Sequence, residues 1–304
     1  MRALVTGATG FVGRALLARL DGRPVVLTRD PARARAVLGE GPELHAWDGA
    51  APPPADAFRD VDVVFHLAGE GVASGRWTEE RKALIRDSRV SGTRRLVQAM
   101  AELAPSTSRP KVLVSASAVG VYGDRGEEVL TESSSIGTDF LAGVCRAWEA
   151  EAMKAHPFGI RVILARLGVV LGSGGGALSR MLPPFRMGLG GRLGSGTQWM
   201  SWIHRDDLVG LLLHAAASGS PSGPMNAVSP EPVRNTDFTK ALGRALGRPA
   251  MLPVPAFALR MALGEMAGFL LASQRVVPKA AEAASFPFRF PALDGALKEV
   301  LAAS

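Results

Sequence analysis

Cysteine is nearly absent from this sequence: among 304 residues, Cys145 stands alone. Without a second thiol no disulfide can close within the chain, and a structural zinc site built from several thiolates is excluded. Such poverty in thiols suits a reducing compartment, and a cytoplasmic location is expected. Tyrosine is equally scarce, so any phenol chemistry must run through Tyr122. The five histidines, at 45, 66, 156, 204 and 214, show neither HExxH nor any other ligand spacing, and no metal is expected. Aromatic residues make up 6% of the chain, which leaves little for base stacking. No segment approaches the ~20 consecutive apolar residues that cross a bilayer. The longest candidate, 261–272, is interrupted by Glu265 and two glycines. A secretory leader is not expected either, because residues 2–6 already read as a strand entering a functional loop.

What is present is a chain with 47% hydrophobic residues, enough to bury a full core. Its formal charge of +7 comes from 35 basic against 28 acidic residues. The basic residues are mostly arginine and are spread along the chain, with no nucleic-acid motif among them. An arginine-rich surface and a site for an anionic cofactor account for this balance, and neither nucleic acid nor a membrane is expected as a partner.

The first half alternates short β-branched runs with helical stretches, the pattern of a doubly wound parallel sheet. Strands are predicted at 3–6, 24–28, 44–47, 61–67, 111–115 and 161–165. Val12, Leu16, Leu17 and Leu20 share one helix face, and the longest helix is predicted over 78–103. After Gly172 glycine-rich stretches appear at 173–176 and 188–196. A helix at 206–217 and a strand near 225–228 could still belong to the sheet, and from Asn235 onward the pattern is mainly helical. The expected organisation is an α/β Rossmann-type domain over 1–172, with 202–230 returning to its sheet. A smaller, mostly helical lobe for substrate would comprise 173–201 and 231–304.

The sharpest motif is Thr6-Gly7-Ala8-Thr9-Gly10-Phe11-Val12-Gly13, lying between a strand and an amphipathic helix. Gly7 permits a tight turn, Gly10 lets backbone approach a pyrophosphate, and Gly13 lets helix pack on sheet. The second strand then ends in Thr28-Arg29, where sites for NAD place an acid to bond the ribose 2′-hydroxyl. A hydroxyl and a guanidinium suit a 2′-phosphate instead, so the cofactor is expected to be NADP(H), with Arg33 assisting. Arg33 and Arg35 read equally well as solvent-facing helix charges.

Several further segments carry a resemblance. Asp62-Val-Val-Phe-His66-Leu-Ala-Gly69, Ser115-Ala-Ser117 leading to Val121-Tyr-Gly123, and Arg166-Leu-Gly168 resemble the extended short-chain dehydrogenase/reductases. Gly69-Glu70, Arg76-Trp77, Trp148-Glu149, Pro183-Pro-Phe185, Gly188–Gly191, Trp202-Ile-His-Arg-Asp-Asp207, Phe288-Arg-Phe-Pro291 and Ala296-Leu-Lys298 narrow it. They resemble an atypical "epimerase family" branch of YfcH/SulA-like type, nearly end to end. The resemblance implies that Leu67, Ala68 and Gly69 run beside the adenosine and pyrophosphate. It places Ser115, ending the fifth strand, over the cofactor, and Gly168, Val169 and Val170 beside the nicotinamide. Arg89 stands where extended members usually carry an asparagine; it could clamp the pyrophosphate or a substrate carboxylate, or pair with Asp87 or Glu80.

The family's chemistry rests on a Tyr-xxx-Lys pair whose lysine lowers the tyrosine pKa and grips the nicotinamide ribose. Counting back from Glu149 puts Leu141 and Cys145 in those two places, and Tyr122 lies off that helix with Gly126 four residues on. Two candidates remain for proton transfer. Glu70 follows the cofactor strand directly, though it could equally be an ion-pairing glutamate. Ser117 matches the family's serine if one inserted residue is allowed, though it could simply bond backbone. Two functions follow: an NADP(H)-dependent oxidoreductase or epimerase-like enzyme acting on an unidentified small molecule, or a non-catalytic NADP(H)-binding regulator, in cell division or redox sensing. The resemblance also suggests a homodimer through the helix at 78–103.

Overall fold

The computed structural model describes residues 1–73, 75–103, 109–219 and 222–302. Seven strands form one parallel sheet: β1 (Ala3–Thr6), β2 (Val25–Thr28), β3 (Glu43–Ala46), β4 (Val63–His66), β5 (Val112–Ala118), β6 (Arg161–Leu167) and β7 (Gly223–Ala227). Their order is β7-β6-β5-β4-β1-β2-β3. The chain starts in the middle, builds outward to β3, then returns to the other side of β1 with β4. Ligands of such sheets bind beyond the carboxyl ends of the strands at this reversal.

Every residue of β1 and β4 is buried, because both faces of the sheet are covered by helices. On one face, α1 (Phe11–Leu17) and a helix at Arg205–Ala217 bury Leu16, Leu208 and Leu212 against Val5, Val26 and Phe65. On the other, Leu96 and Met100 of the 23-residue helix Glu79–Ala101 pack with Phe58, Leu113 and Val162. That long helix lies beside Phe140–Met153, which the carboxylate of Asp139 caps by accepting the Ala142 amide. In chain order these helices are α1, α2 (Pro31–Leu38), α3 (Glu79–Ala101), α4 (Phe140–Met153), α5 (Leu178–Arg186) and α6 (Arg205–Ala217).

β5 differs from expectation in running on to Ala118. Ser115, expected at its end, lies inside the sheet, paired with His66 of β4 and fully buried. The ladder to β6 continues from Ala116 to Ala118 and carries Ser117 beyond the end of β4.

The C-terminal part is mainly helical, with α7 (Asn235–Leu246), α8 (Ala256–Leu263) and three shorter or terminal helices beyond. Polar anchors dock it. The Asp207 carboxylate accepts the backbone amides of Arg289 and Phe290, and buried His204 bonds Glu299 at 2.7 Å while accepting the Asp206 amide. His204 therefore serves structure. Trp202 is wholly buried, its indole N–H donating to the Glu231 carbonyl. Among the described residues, no helix is long and apolar enough to cross a membrane.

Candidate active site

The glycine loop joins β1 to α1 at the reversal. Gly7 has φ +71°, and a Cβ there would lie 2.8 Å from the Ala68 amide nitrogen and the Leu67 carbonyl, so only glycine lets this turn press against the end of β4. A Cβ on Gly13 would meet the Gly7 carbonyl oxygen at 2.3 Å, which fixes the helix tightly under the loop. Gly10 is different. It is exposed, as is Thr9, and a Cβ there would touch only the Gly7 oxygen, at 3.1 Å. The surface above Gly10 is open, as a dinucleotide phosphate requires.

At the end of β2, Arg29 and Arg33 are exposed and make no ion pair with any described carboxylate. Asp30, which sequence reading passed over, is occupied as the N-cap of α2, where it accepts the Arg33 amide at 2.9 Å. Arg35 pairs with Glu40 at 3.0 Å and so stands apart from the other two. Thr28 is half-buried, its hydroxyl near the Asp30 backbone.

Beneath the loop lies His66, fully buried, its Nδ1 2.8 Å from the Thr6 hydroxyl and its Nε2 2.8 Å from that of Thr93. The Ala68 amide donates to Thr6 Oγ1. Both ring nitrogens of His66 are thus engaged by hydroxyls. Burial drives the imidazole pKa down to about 4. A neutral ring thus ties Thr6, at the start of the glycine loop, to α3 and holds the backbone of Leu67 and Ala68 in place.

Glu70 leaves the end of β4 and pairs with Arg81 of α3 at 2.9 Å, with its side chain 32% exposed. Arg81 also donates to the Gly71 carbonyl, so the ion pair closes a small turn at the crevice edge. Arg89 makes no bridge to Asp87 or Glu80: Asp87 is held by Arg86, and Glu80 by the Thr78 hydroxyl and its own amide. The Arg89 guanidinium instead stacks over Trp148 of α4 with 5.2 Å to the ring centroid and donates once, to the Ile85 carbonyl.

Ser117 is bound neither to backbone nor to open crevice. Its hydroxyl donates to Glu149 at 2.6 Å, and Glu149 is gripped through both oxygens by Arg166 at 2.9 and 2.8 Å. Arg166 also donates to the Tyr122 hydroxyl, which itself donates to Asn226 Oδ1 at 2.6 Å. All five residues are buried. Burial raises the Tyr122 pKa above the usual phenol range, so this tyrosine is a strut. Cys145 lies 4% exposed on α4, its thiol pushed up to about 11 by burial, and Leu141 is half-buried one turn earlier. Sequence reading missed this network; Trp148-Glu149 and Arg166 stood out only as motif letters, with nothing to show that they meet.

Two further features frame the crevice. Gly168 must be glycine because a Cβ would lie 2.6 Å from the Ser201 carbonyl oxygen; Val169 and Val170 beyond it are half-buried beside Trp202 and Ile203. Phe11 of the glycine loop is gripped from above. Cβ atoms on Gly172, Gly175 and Gly176 would fall 2.6–2.9 Å from its ring, and the Arg205 guanidinium covers it at 5.2 Å. Among the described residues, no group of three or more His, Cys, Asp or Glu side chains could hold a metal.

Residues 3–227, which carry the whole sheet, match the NAD dependent epimerase/dehydratase family. The chain belongs to that family. Residues 254–300 match a domain of unknown function, DUF1731. Among family members, the epimerase family protein SDR39U1 homolog of Arabidopsis thaliana, a chloroplastic protein, is 42% identical over 99% of this chain and 87% of its own length. Epimerase family protein YfhF of Bacillus subtilis is 38% identical over 99% and 98%. The crystal structure of human SDR39U1 with NADPH superposes with a TM-score of 0.87 at 35% identity, covering 99% of both chains. A UDP-galactose 4-epimerase at 21% identity and a TM-score of 0.75 shares the fold alone.

Proposed function

We propose that this family member binds NADP(H) across the glycine loop and acts as an oxidoreductase or epimerase-like enzyme on a small molecule. The observation that carries the reading is the open cradle at Gly10 flanked by Arg29 and Arg33, two cations free of carboxylate partners where a 2′-phosphate would lie. That human SDR39U1 is known with NADPH supports the choice of cofactor. Thr9, Gly10, Phe11 and Val12 are the residues for the pyrophosphate, and Gly168, Val169 and Val170 those for the nicotinamide side. The dinucleotide supplies hydride exchange when bound. Glu70, held by Arg81 at the crevice edge, is the candidate acid/base. Ser117 acts behind it, as a positioning residue that keeps Glu149 and α4 in place. A homodimer through α3, whose Leu84 is 57% exposed, belongs to the same reading.

Stopped-flow NADPH oxidation across a panel of carbonyl and quinone compounds tests it. Glu70→Gln is expected to lose roughly 10²–10⁴-fold in hydride transfer, the span of a general acid/base. Tyr122→Phe is expected to stay within about tenfold of wild type, since no base reaches that phenol. A large loss in Tyr122→Phe with Glu70→Gln unaffected would restore a tyrosine mechanism. The second reading, a non-catalytic regulator, is favoured by one observation: Tyr122, Ser117 and Cys145 are all locked in buried structure. It prevails if the cofactor binds with micromolar or better affinity and no compound oxidises it.

A further inference from the structure

We infer that the exposed side of the smaller lobe docks a partner protein, one that presents an acidic segment carrying apolar anchors. The surface shares no residue with the glycine loop or with the Arg29–Arg33 corner.

It is built where two chain segments run side by side. The Leu252 amide donates to the Gly190 carbonyl at 3.2 Å and the Val254 amide to the Arg192 carbonyl at 2.9 Å, so the stretch after α5 lies against the stretch that leads into α8. A Cβ on Gly188 would come 3.6 Å from Pro249, and one on Gly243 of α7 would come 2.8 Å from the Ala250 Cβ. Among the described residues, eight large apolar side chains are more than half exposed, and six of them belong to these two stretches and α8: Met187, Leu189, Met251, Leu252, Phe257 and Met261. Apolar residues exposed singly are ordinary, but such a concentration on one lobe marks a contact surface. Phe257 and Met261 stand one turn apart on α8 and so share a side of it.

The charge of this surface has one sign. The sequence contains no Asp or Glu from 152 to 205, nor from 238 to 264. Arg186, Arg192, Lys240, Arg248 and Arg260 are exposed and pair with no described carboxylate, while Arg244 is held by Asp294 at 3.0 Å. Lys240, Arg244 and Arg248 line a cavity of about 390 Å³ whose apolar wall includes Ala250 and Met251. Carboxylates brought here meet cations for which no neighbouring acid competes. Arginine outnumbers lysine, and together with Met and Phe this is the composition of protein contact surfaces. The cavity is a hollow that inserted side chains can fill, whereas a bilayer meets a flat or convex face. Arginines also alternate with the apolar residues along the chain, at 186–192 and 257–261, instead of flanking them as on a helix lying in a membrane. A single aromatic ring among the six apolar residues leaves nucleic-acid bases little to stack on.

The test is fluorescence anisotropy of the full chain with three labelled peptides of about 16 residues: leucine and glutamate at helical spacing, serine and glutamate at the same spacing, and leucine with lysine. The first is expected to bind about tenfold tighter or more than either of the others, because the surface offers cations and apolar contact together. Met251→Asp and Arg248→Glu should each weaken that peptide by about tenfold or more, while Arg146→Glu, an exposed change on α4, should stay within about threefold. All three replace exposed side chains, and thermal melts check that each variant is folded. Equal affinity for the two acidic peptides, or equal losses in Arg146→Glu and Arg248→Glu, would overturn the inference by reducing it to diffuse charge attraction. Absence of binding to the leucine–glutamate peptide would overturn it as well. So would sedimentation with vesicles of phosphatidylcholine and phosphatidylglycerol that is lost in Met251→Asp, because the surface would then belong to a lipid.

Discussion

In the proposed cofactor site, Arg29 acts by what is missing around it as much as by its own charge. No described carboxylate neutralises it, and Asp30 is committed to its capping bond. A 2′-phosphate brought to this place gains a charge-assisted contact worth roughly 1.5–3 kcal/mol. Arg29→Ala should therefore weaken NADPH about tenfold or more and leave NADH nearly unchanged, as read by parallel titrations. Equal losses would remove the 2′-phosphate from this site. Tyr122 shows the opposite condition, a reactive group with every valence engaged. Its hydroxyl accepts from Arg166 and donates to Asn226, and Arg166 is bound in turn to Glu149, which also accepts from Ser117. Breaking a buried ion pair of this kind costs about 3–5 kcal/mol, because the remaining charge stays buried without a partner.

At the scale of elements, the β1–loop–α1 unit decides whether a dinucleotide can bind. Gly7 and Gly13 are required by packing, whereas Gly10 is exposed and a Cβ there would crowd only the Gly7 oxygen, at 3.1 Å. Gly10→Val is expected to abolish cofactor binding while the thermal melt stays close to wild type, since its side chain fills ligand space and little else. Retained affinity would mean that the loop holds no phosphate. This unit was fully legible in the sequence because all of its determinants are local: a strand, three glycines at fixed spacing and one apolar helix face. The sheet strands were legible for the same reason, to within two residues at most ends. β5 was the exception, since Ala116, Ser117 and Ala118 have weak strand preference and are drawn into the sheet by the β6 ladder. The network at Ser117 was not legible at all. Glu149 and Arg166 are 17 residues apart on a helix and a strand, and Tyr122 meets Asn226 across 104 residues. No periodicity records such a meeting. Arg89 fell between: its residue type marked it as unusual, but only the tertiary arrangement chose Trp148 and Gly69 over Asp87 and Glu80 as its neighbours.

The whole molecule carries a pH limit set near its centre. His66 is neutral between two threonines, with a folded pKa of about 4 against an ordinary 6.5. Below pH 6.5 the unfolded chain takes up a proton that the folded chain refuses, so stability present above that pH is lost progressively as pH falls through about 4. A gap of roughly 2.5 pH units corresponds to about 3 kcal/mol. Urea unfolding at pH 7 and at pH 4.5 should show this drop in wild type and a shallower one in His66→Asn, whatever the variant's stability at pH 7. Equal drops would relieve His66 of the effect. The single thiol has a different use at this scale. Cys145 is sealed between α4 and the sheet, and its pKa of about 11 keeps it in the unreactive form. Alkylating reagents therefore meet a silent surface until α4 lifts away, and the labelling rate becomes a clock for that opening. With no other cysteine to contribute background, the chain comes with its own stopwatch for the packing around α4.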